Sequence, residues 1–196
     1  TPVKAYPNGW RWIDTGQKCD IVAGLMKNCG STGVMSMDRD AVMIVLFDSN
    51  NKPHVVVTYS PNQKRISSEE GVASSAVKEE YQDYVFDLAK TLGANFDFAR
   101  TKSSTMRIRG AFGSMFSSIE KPFPEMDGSD YDSRPIYKIN LTNGETWWSD
   151  GLHFASEAEV GNNPTKEGIE KILLDLRRNE YSIARQYNPT GIPNRH

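Results

Sequence analysis

The residues best suited to chemistry are Cys29 and His54. A cysteine nucleophile acts as a thiolate and needs a nearby base, usually histidine, to take its proton. Cys29 stands beside Gly30 at the end of an expected helix, and His54 opens an expected strand, so the fold could bring them together. That pairing would make a cysteine-dependent hydrolase or transferase, with Cys29 as nucleophile and His54 as base. A structural reading stands beside it. Cys29 continues the apolar positions Val22, Leu25 and Met26, which suits a small core residue. The partial negative charge of a helix C-terminus also disfavours a thiolate there.

Three further groups qualify as binding residues. Trp10 and Trp12 flank Arg11, so both rings can share one face of a short strand, either as anchors to the core or as a platform for a base, sugar or partner. Trp147, Trp148, His153 and Phe154, with Asp150 among them, can line a ligand pocket or close the core of the second half. Lys102, Arg107 and Arg109, with Arg177, Arg178 and Arg185, form the basic set that a nucleic-acid contact would need. Arg177, Arg178 and Arg185 equally complement the dipole at the end of the last helix. The chain has no Gly-rich phosphate loop ending in Gly-Lys-Ser/Thr, no Gly-x-Ser-x-Gly and no His-Glu-x-x-His. Its three histidines and two cysteines lack zinc-ligand spacing, so neither a metal nor a cofactor is expected. A disulfide between Cys19 and Cys29 is incompatible with an intervening helix, because ten helical residues span ~15 Å and a bridge needs Cα atoms within ~7 Å.

These residues need elements to position them. The spacing predicts a helix over Asp20–Asn28 capped by Gly30, then a hairpin of Ala41–Phe47 and His54–Tyr59, with a third short strand from Lys64. Ser75–Leu92 carries one apolar stripe, Val77, Tyr81, Tyr84, Val85, Leu88 and Leu92, and Gly93 sits where a C-cap belongs. Its other face holds Glu79, Glu80, Asp83 and Asp87, a solvated acidic surface. Met106–Arg109 alternates and reads as a strand. Gly113–Arg134, rich in serine, glycine, proline and aspartate, reads as a long loop or linker. A second hairpin turns at Asn143-Gly144 between Pro135–Leu141 and Thr146–Trp148. Gly151–Asn163 is loop-like. A last helix begins near Pro164 with Asn163 as N-cap and Ile169, Ile172, Leu173 and Leu176 on its apolar face.

The 196 residues suit one domain, or one domain and a small lobe. Apolar residues make up 38% and charged residues 24%, a globular mixture that excludes wholesale disorder. No apolar run approaches the ~18–20 residues of a membrane span. The net charge of −2 gives no general attraction to nucleic acid or to anionic membrane. Two cysteines do not make a disulfide scaffold. The chain starts at Thr1, which suggests a processed product or a segment of something longer, and Thr1–Asp14 does not have the form of a secretory signal.

Three stretches carry a resemblance: Leu25-Met26-Lys27-Asn28-Cys29-Gly30, Met35-Ser36-Met37-Asp38-Arg39-Asp40, and Asn51-Lys52-Pro53-His54-Val55-Val56-Val57, with Gly71 after the next strand. Over residues 20–71 the chain resembles the PcfJ-like proteins of conjugative plasmids and bacteriophages. The resemblance implies a helix leading to a cysteine, then a hairpin with a Pro-His step, in a phage or mobile-element setting. Asn28 stands where that family often has histidine, and the stretch from Asp40 to Ser49 is longer.

The expected fold is α+β, a mostly antiparallel sheet with two to three helices packed on one face. Residues 1–13 are an extended leading segment, 14–112 the main domain and 113–134 a loop or linker. Residues 135–187 are a hairpin and helix that extend the same sheet or form a small lobe, and 188–196 are a tail. The expected function is a non-catalytic interaction or structural module of a phage or mobile-element protein, in the host cytoplasm or a virion. Its partner is another protein or a second copy. The cysteine-dependent enzyme and a nucleic-acid-binding accessory protein are the alternatives, and no membrane partner is expected.

Overall fold

A computed structural model describes residues 1–27, 39–96, 101–123, 135–162, 164–179, 186–187 and 193–194. The fold is α+β, with mostly antiparallel sheets. The chain divides into two units, Thr1–Met106 and Arg107–His196.

The first unit is built on a six-stranded sheet in chain order: β1 (Lys4–Ala5), β2 (Arg11–Asp14), β3 (Val42–Phe47), β4 (Pro53–Ser60), β5 (Arg65–Gly71) and β6 (Asn95–Phe96). Neighbours are antiparallel except β5 and β6, which run parallel across the crossover helix α2 (Glu79–Leu92). The central strands β3 and β4 are apolar on both faces because both faces are covered. Trp12, Ile44, Leu46, Val55 and Val57 face one side and meet Val85, Leu88 and Ala89 of α2. Met43, Val45 and Val56 face the other side and meet Val22 and Met26 of α1 (Cys19–Met26). The two helices therefore cover opposite faces, which corrects the expectation that the helices share one. The leading segment joins the sheet: Trp12 pairs with Leu46 and Ile13 with Val45.

Helix ends explain several displaced boundaries. α1 stops at Met26, with Lys27 in the left-handed region (φ 56°), ahead of the expected Gly30, which lies outside the described residues. α2 begins at Glu79, later than expected, because Ala73 and Ser74 hold positive φ and the chain leaves them extended at Ser75 and Lys78. It ends as foreseen: Gly93 is left-handed, and the N–H of Ala94 reaches back to the carbonyl of Ala89. Met106–Arg109 is not a strand. It belongs to α3 (Ser104–Phe112), whose Ile108, Ala111 and Phe112 are buried, while Ser103 Oγ accepts the Met106 N–H. The Met-Arg-Ile-Arg alternation imitates a strand, but the i, i+3, i+4 spacing from Ile108 to Phe112 is what packs.

The second unit holds a four-stranded sheet in the order β10 (Phe154–Ser156), β9 (Thr146–Ser149), β8 (Tyr137–Leu141), β7 (Phe116–Glu120). β7 lies inside the stretch expected to be a linker. It pairs with β8, and its small, polar Ser117 and Ser118 hid the strand from a pattern reading. The Asn143-Gly144 hairpin is present, with Gly144 at φ 87°. Alternation sends Trp147 to the side of Phe112, Ile139 and Phe154, and Trp148 to the opposite side with Ile169 and Leu173 of α5 (Lys166–Asn179). A short α4 (Glu157–Val160) follows β10 in a stretch expected to be loop. α5 is capped by Thr165, whose Oγ1 accepts the Gly168 N–H at 3.0 Å, whereas the expected cap, Asn163, lies outside the described residues. Within the expected tail and its approach, β11 (Gln186–Tyr187) pairs with β12 (Pro193–Asn194).

Candidate functional site

His54 sits at an irregularity of the β3–β4 ladder. Leu46 pairs with Val55 and Phe47 with Pro53, so the register passes over His54. Such a bulge re-aims a side chain. Here the imidazole meets Trp10 (ring centroids 4.9 Å apart, 17° between planes) and Tyr81 of α2 (4.8 Å). Trp10 is also stacked on Tyr84 at 5.0 Å, with the two ring planes nearly parallel. Tyr84 carries Tyr6 edge-on and accepts a hydrogen bond from Asn8 Nδ2 at 2.9 Å. The Tyr6 hydroxyl donates to Asp87 Oδ2 at 2.6 Å, and burial and this carboxylate push its pKa up. The cluster therefore ties the leading segment to α2.

The turn between β3 and β4 holds the second partner of His54. Asp48 Oδ1 accepts the N–H groups of Asn50 and Lys52, and Oδ2 lies 2.8 Å from His54 Nε2. The hydrogen bond from His54, then that from the Lys52 N–H, holds the Asp48 carboxyl below its ordinary range. Arg11 donates to the Asp48 carbonyl and to Asn51 Oδ1. Gly9 closes over the same turn: its φ is 89°, and a Cβ there would lie 2.9 Å from Cβ of Ser49, so a side chain fits neither the backbone nor the space.

Cys29, the expected nucleophile, lies outside the described residues. The helix that leads to it, α1, packs on the face of Met43, Val45 and Val56, whereas the His54 ring lies with Trp10 and Tyr81 on the α2 side. Trp12 is completely buried and serves as a core anchor. Trp10 is half-buried, with its ring engaged by His54, Tyr81 and Tyr84.

In the second unit, Asp150 is the centre of a buried polar group. Its Oδ1 accepts the N–H groups of Leu152 and His153, and its Oδ2 lies 3.2 Å from His153 Nδ1 and 3.4 Å from Arg177. Burial raises the Asp150 pKa, but the hydrogen bonds from the His153 side chain and backbone outweigh it and leave it at about 2. Arg107 donates to the Gly151 carbonyl at 3.0 Å, on the same turn. Arg109 lies over the Phe116 ring, and in the first unit Lys102 contacts Glu70 and the Ser74 carbonyl. The described members of the basic set are thus spread over internal contacts. The Arg178 side chain and Arg185 lie outside the described residues. The spacing of Asp48 and His54 across a turn was visible in sequence as two polar residues but carried no motif. In sequence Arg177 suits either a nucleic-acid contact or the helix dipole, and its contact with Asp150 needs the folded second unit.

Among the described residues no group of three or more His, Cys, Asp or Glu side chains could hold a metal ion, and no helix is long and apolar enough to cross a membrane. Compared with protein-family models, curated proteins and solved structures, the chain gives no match.

Proposed function

We propose that this chain works by protein–protein contact and that the uncovered edge of the apolar stripe of α1 is part of the surface it presents. The observation that carries this reading is that the apolar stripe of that helix is wider than the part the sheet covers. Val22 and Met26 are fully enclosed against the sheet, while Ile21 and Leu25, one helical turn apart, remain 44% and 38% exposed. Val72 and Leu174 are also exposed, but they stand singly, and single exposed apolar residues are ordinary. The exposed edge of that stripe leaves apolar area that a contacting surface would bury.

The setting proposed with this reading is a phage or mobile-element protein in the host cytoplasm or a virion, and it rests on the resemblance over residues 20–71. The enzyme alternative retains one supporting feature, the 2.8 Å contact between Asp48 and His54, which is how a carboxylate orients a base.

Two measurements test the reading. In an Ile21→Ser, Leu25→Ser double variant, the unfolding free energy from urea titration should stay within about 0.5 kcal/mol of wild type, because surface positions outside the core tolerate change. A loss of ~2 kcal/mol or more would place both side chains in the chain's own core and overturn the proposal. The pH dependence of Cys29 alkylation, in a Cys19→Ser background, should show the midpoint of an ordinary thiol, ~8.5. A midpoint well below that, lost on His54→Ala, would instead support the enzyme.

A further inference from the structure

We infer that Asn143 is a site of spontaneous covalent modification, the loss of its side-chain amide by deamidation, and that tertiary contacts protect Asn8 from the same reaction. The Asn-Gly step occurs twice in the chain, at Asn8-Gly9 and at Asn143-Gly144. Asparagine is thermolabile, and a following glycine puts no side chain in the way of the ring closure that consumes it.

The two steps sit in turns of the same local form. The Tyr6 N–H donates to the Trp10 carbonyl, and the Leu141 N–H to the Glu145 carbonyl, both at 2.9 Å. The Gly9 N–H donates to the Tyr6 carbonyl at 3.0 Å, and the Gly144 N–H to the Leu141 carbonyl at 3.1 Å. The two glycines have φ 89° and 87°. Each asparagine Oδ1 accepts the N–H two residues on, from Trp10 at 3.1 Å and from Glu145 at 2.9 Å. Both Asn-Gly steps are exposed. Local geometry and exposure therefore do not separate them.

Their surroundings do. Asn8 Nδ2, the group that must leave, donates to the Tyr84 hydroxyl at 2.9 Å. Tyr6 and Trp10 hold that turn against α2 through Asp87 and the Tyr81 and Tyr84 rings. Gly9 also packs closely on Ser49. Asn143 Nδ2 has no acceptor among the described residues, and a Cβ on Gly144 would meet nothing within 4 Å.

The reaction needs the turn to open locally, so that Cγ reaches the next backbone nitrogen. The Gly144 nitrogen attacks Asn143 Cγ. An N–C bond forms, the Cγ–Nδ2 bond breaks, and the Gly144 amide proton leaves with Nδ2 as ammonia. Water then opens the cyclic imide at either carbonyl, giving aspartate or isoaspartate. Both products place a new negative charge beside Glu145. Isoaspartate also adds a methylene to the backbone of the turn, whose length sets the β8–β9 register. Opening at Asn8 breaks an extra hydrogen bond and the ring contacts, so the folded chain should lose Asn143 at least about tenfold faster than Asn8.

Peptide mapping by mass spectrometry tests this on the full chain, incubated in mildly alkaline buffer both folded and unfolded in guanidinium chloride. Unfolded, the two asparagines should convert at comparable rates, since each precedes glycine. Folded, Asn143 should convert while Asn8 persists. Tyr84→Phe keeps the stacked ring and removes the acceptor, so it should speed conversion of Asn8 about fivefold and leave Asn143 unchanged. Equal loss at both sites in the folded chain, or earlier loss at Asn8, would overturn the inference. So would an Asn143 that converts only when unfolded, a rate ratio that is the same folded and unfolded, or an Asn8 rate that Tyr84→Phe does not move.

Discussion

Asp48 Oδ2 and His54 Nε2 stand 2.8 Å apart across the β3–β4 turn, and the same carboxylate accepts the backbone N–H groups of Asn50 and Lys52. One side chain thus shapes the turn and orients an imidazole that in turn stacks on Trp10.

Asp48→Asn should lower the urea midpoint at neutral pH and alter the near-UV circular dichroism of the Trp10 region. The folded pKa of Asp48 is depressed, so its contribution to stability is present above the unfolded carboxylate pKa and is lost as pH falls through the folded value. Urea titrations between pH 7 and pH 3 should therefore show a smaller acid loss in Asp48→Asn than in wild type. Equal acid sensitivity would remove the carboxylate from the turn's stability.

Asp150 gives a larger effect of the same sign. Its pKa falls from 3.8 to about 2, equivalent to about 2 kcal/mol of stability. That stability is complete above pH ~4 and disappears as pH falls towards ~2. Asp150→Asn should cost about 3 kcal/mol at neutral pH, because Arg177 loses a buried counter-charge and the Leu152–His153 turn loses a charged hydrogen-bond acceptor. Measured denaturant stabilities within 1 kcal/mol of wild type would contradict a role for the buried group in holding this unit.

The two tryptophans of the leading segment should separate cleanly. Trp12→Ala removes a fully buried side chain next to Leu46 and should cost about 3–5 kcal/mol. Trp10→Ala loses ring contacts at a half-buried site and should cost about half as much or less. Equilibrium unfolding followed by far-UV circular dichroism compares them, and equal losses would contradict the difference in burial.

Lys27 ends α1 at φ 56°, a conformation that glycine adopts without strain. Lys27→Gly should raise stability by about 0.5–1 kcal/mol, read as a higher thermal midpoint at low protein concentration, where association does not contribute. A lower midpoint would show that the lysine side chain stabilises the fold by more than its backbone strain costs.

Local patterns carried much of the fold. The apolar run Val42–Phe47 and the β-branched run from Val55 to Thr58 form central strands because they are short, rich in β-branched residues and apolar on both faces, which a strand covered on both sides buries. Gly93 and Asn143-Gly144 mark a helix end and a hairpin, because positive φ is a local requirement. The misread segments are those where two periods compete, as in Met106–Arg109, or where small polar residues join a sheet by backbone pairing alone, as in β7.

By itself, then, the sequence determined the central strands β3 and β4, the long helices α2 and α5 and the Asn143-Gly144 hairpin, and that Trp10 and Trp12 can share a face, since these follow from propensity and periodicity within a few residues. Only the tertiary structure decided that His54 turns to the α2 side to meet Asp48 and Trp10, that Arg177 reaches Asp150 in the second unit, and that the Ile21 and Leu25 edge of the α1 stripe stays exposed while Val22 and Met26 are buried. Those outcomes depend on strand register, on a bulge and on which helix covers which face, and such choices are made by contacts between residues far apart in the chain.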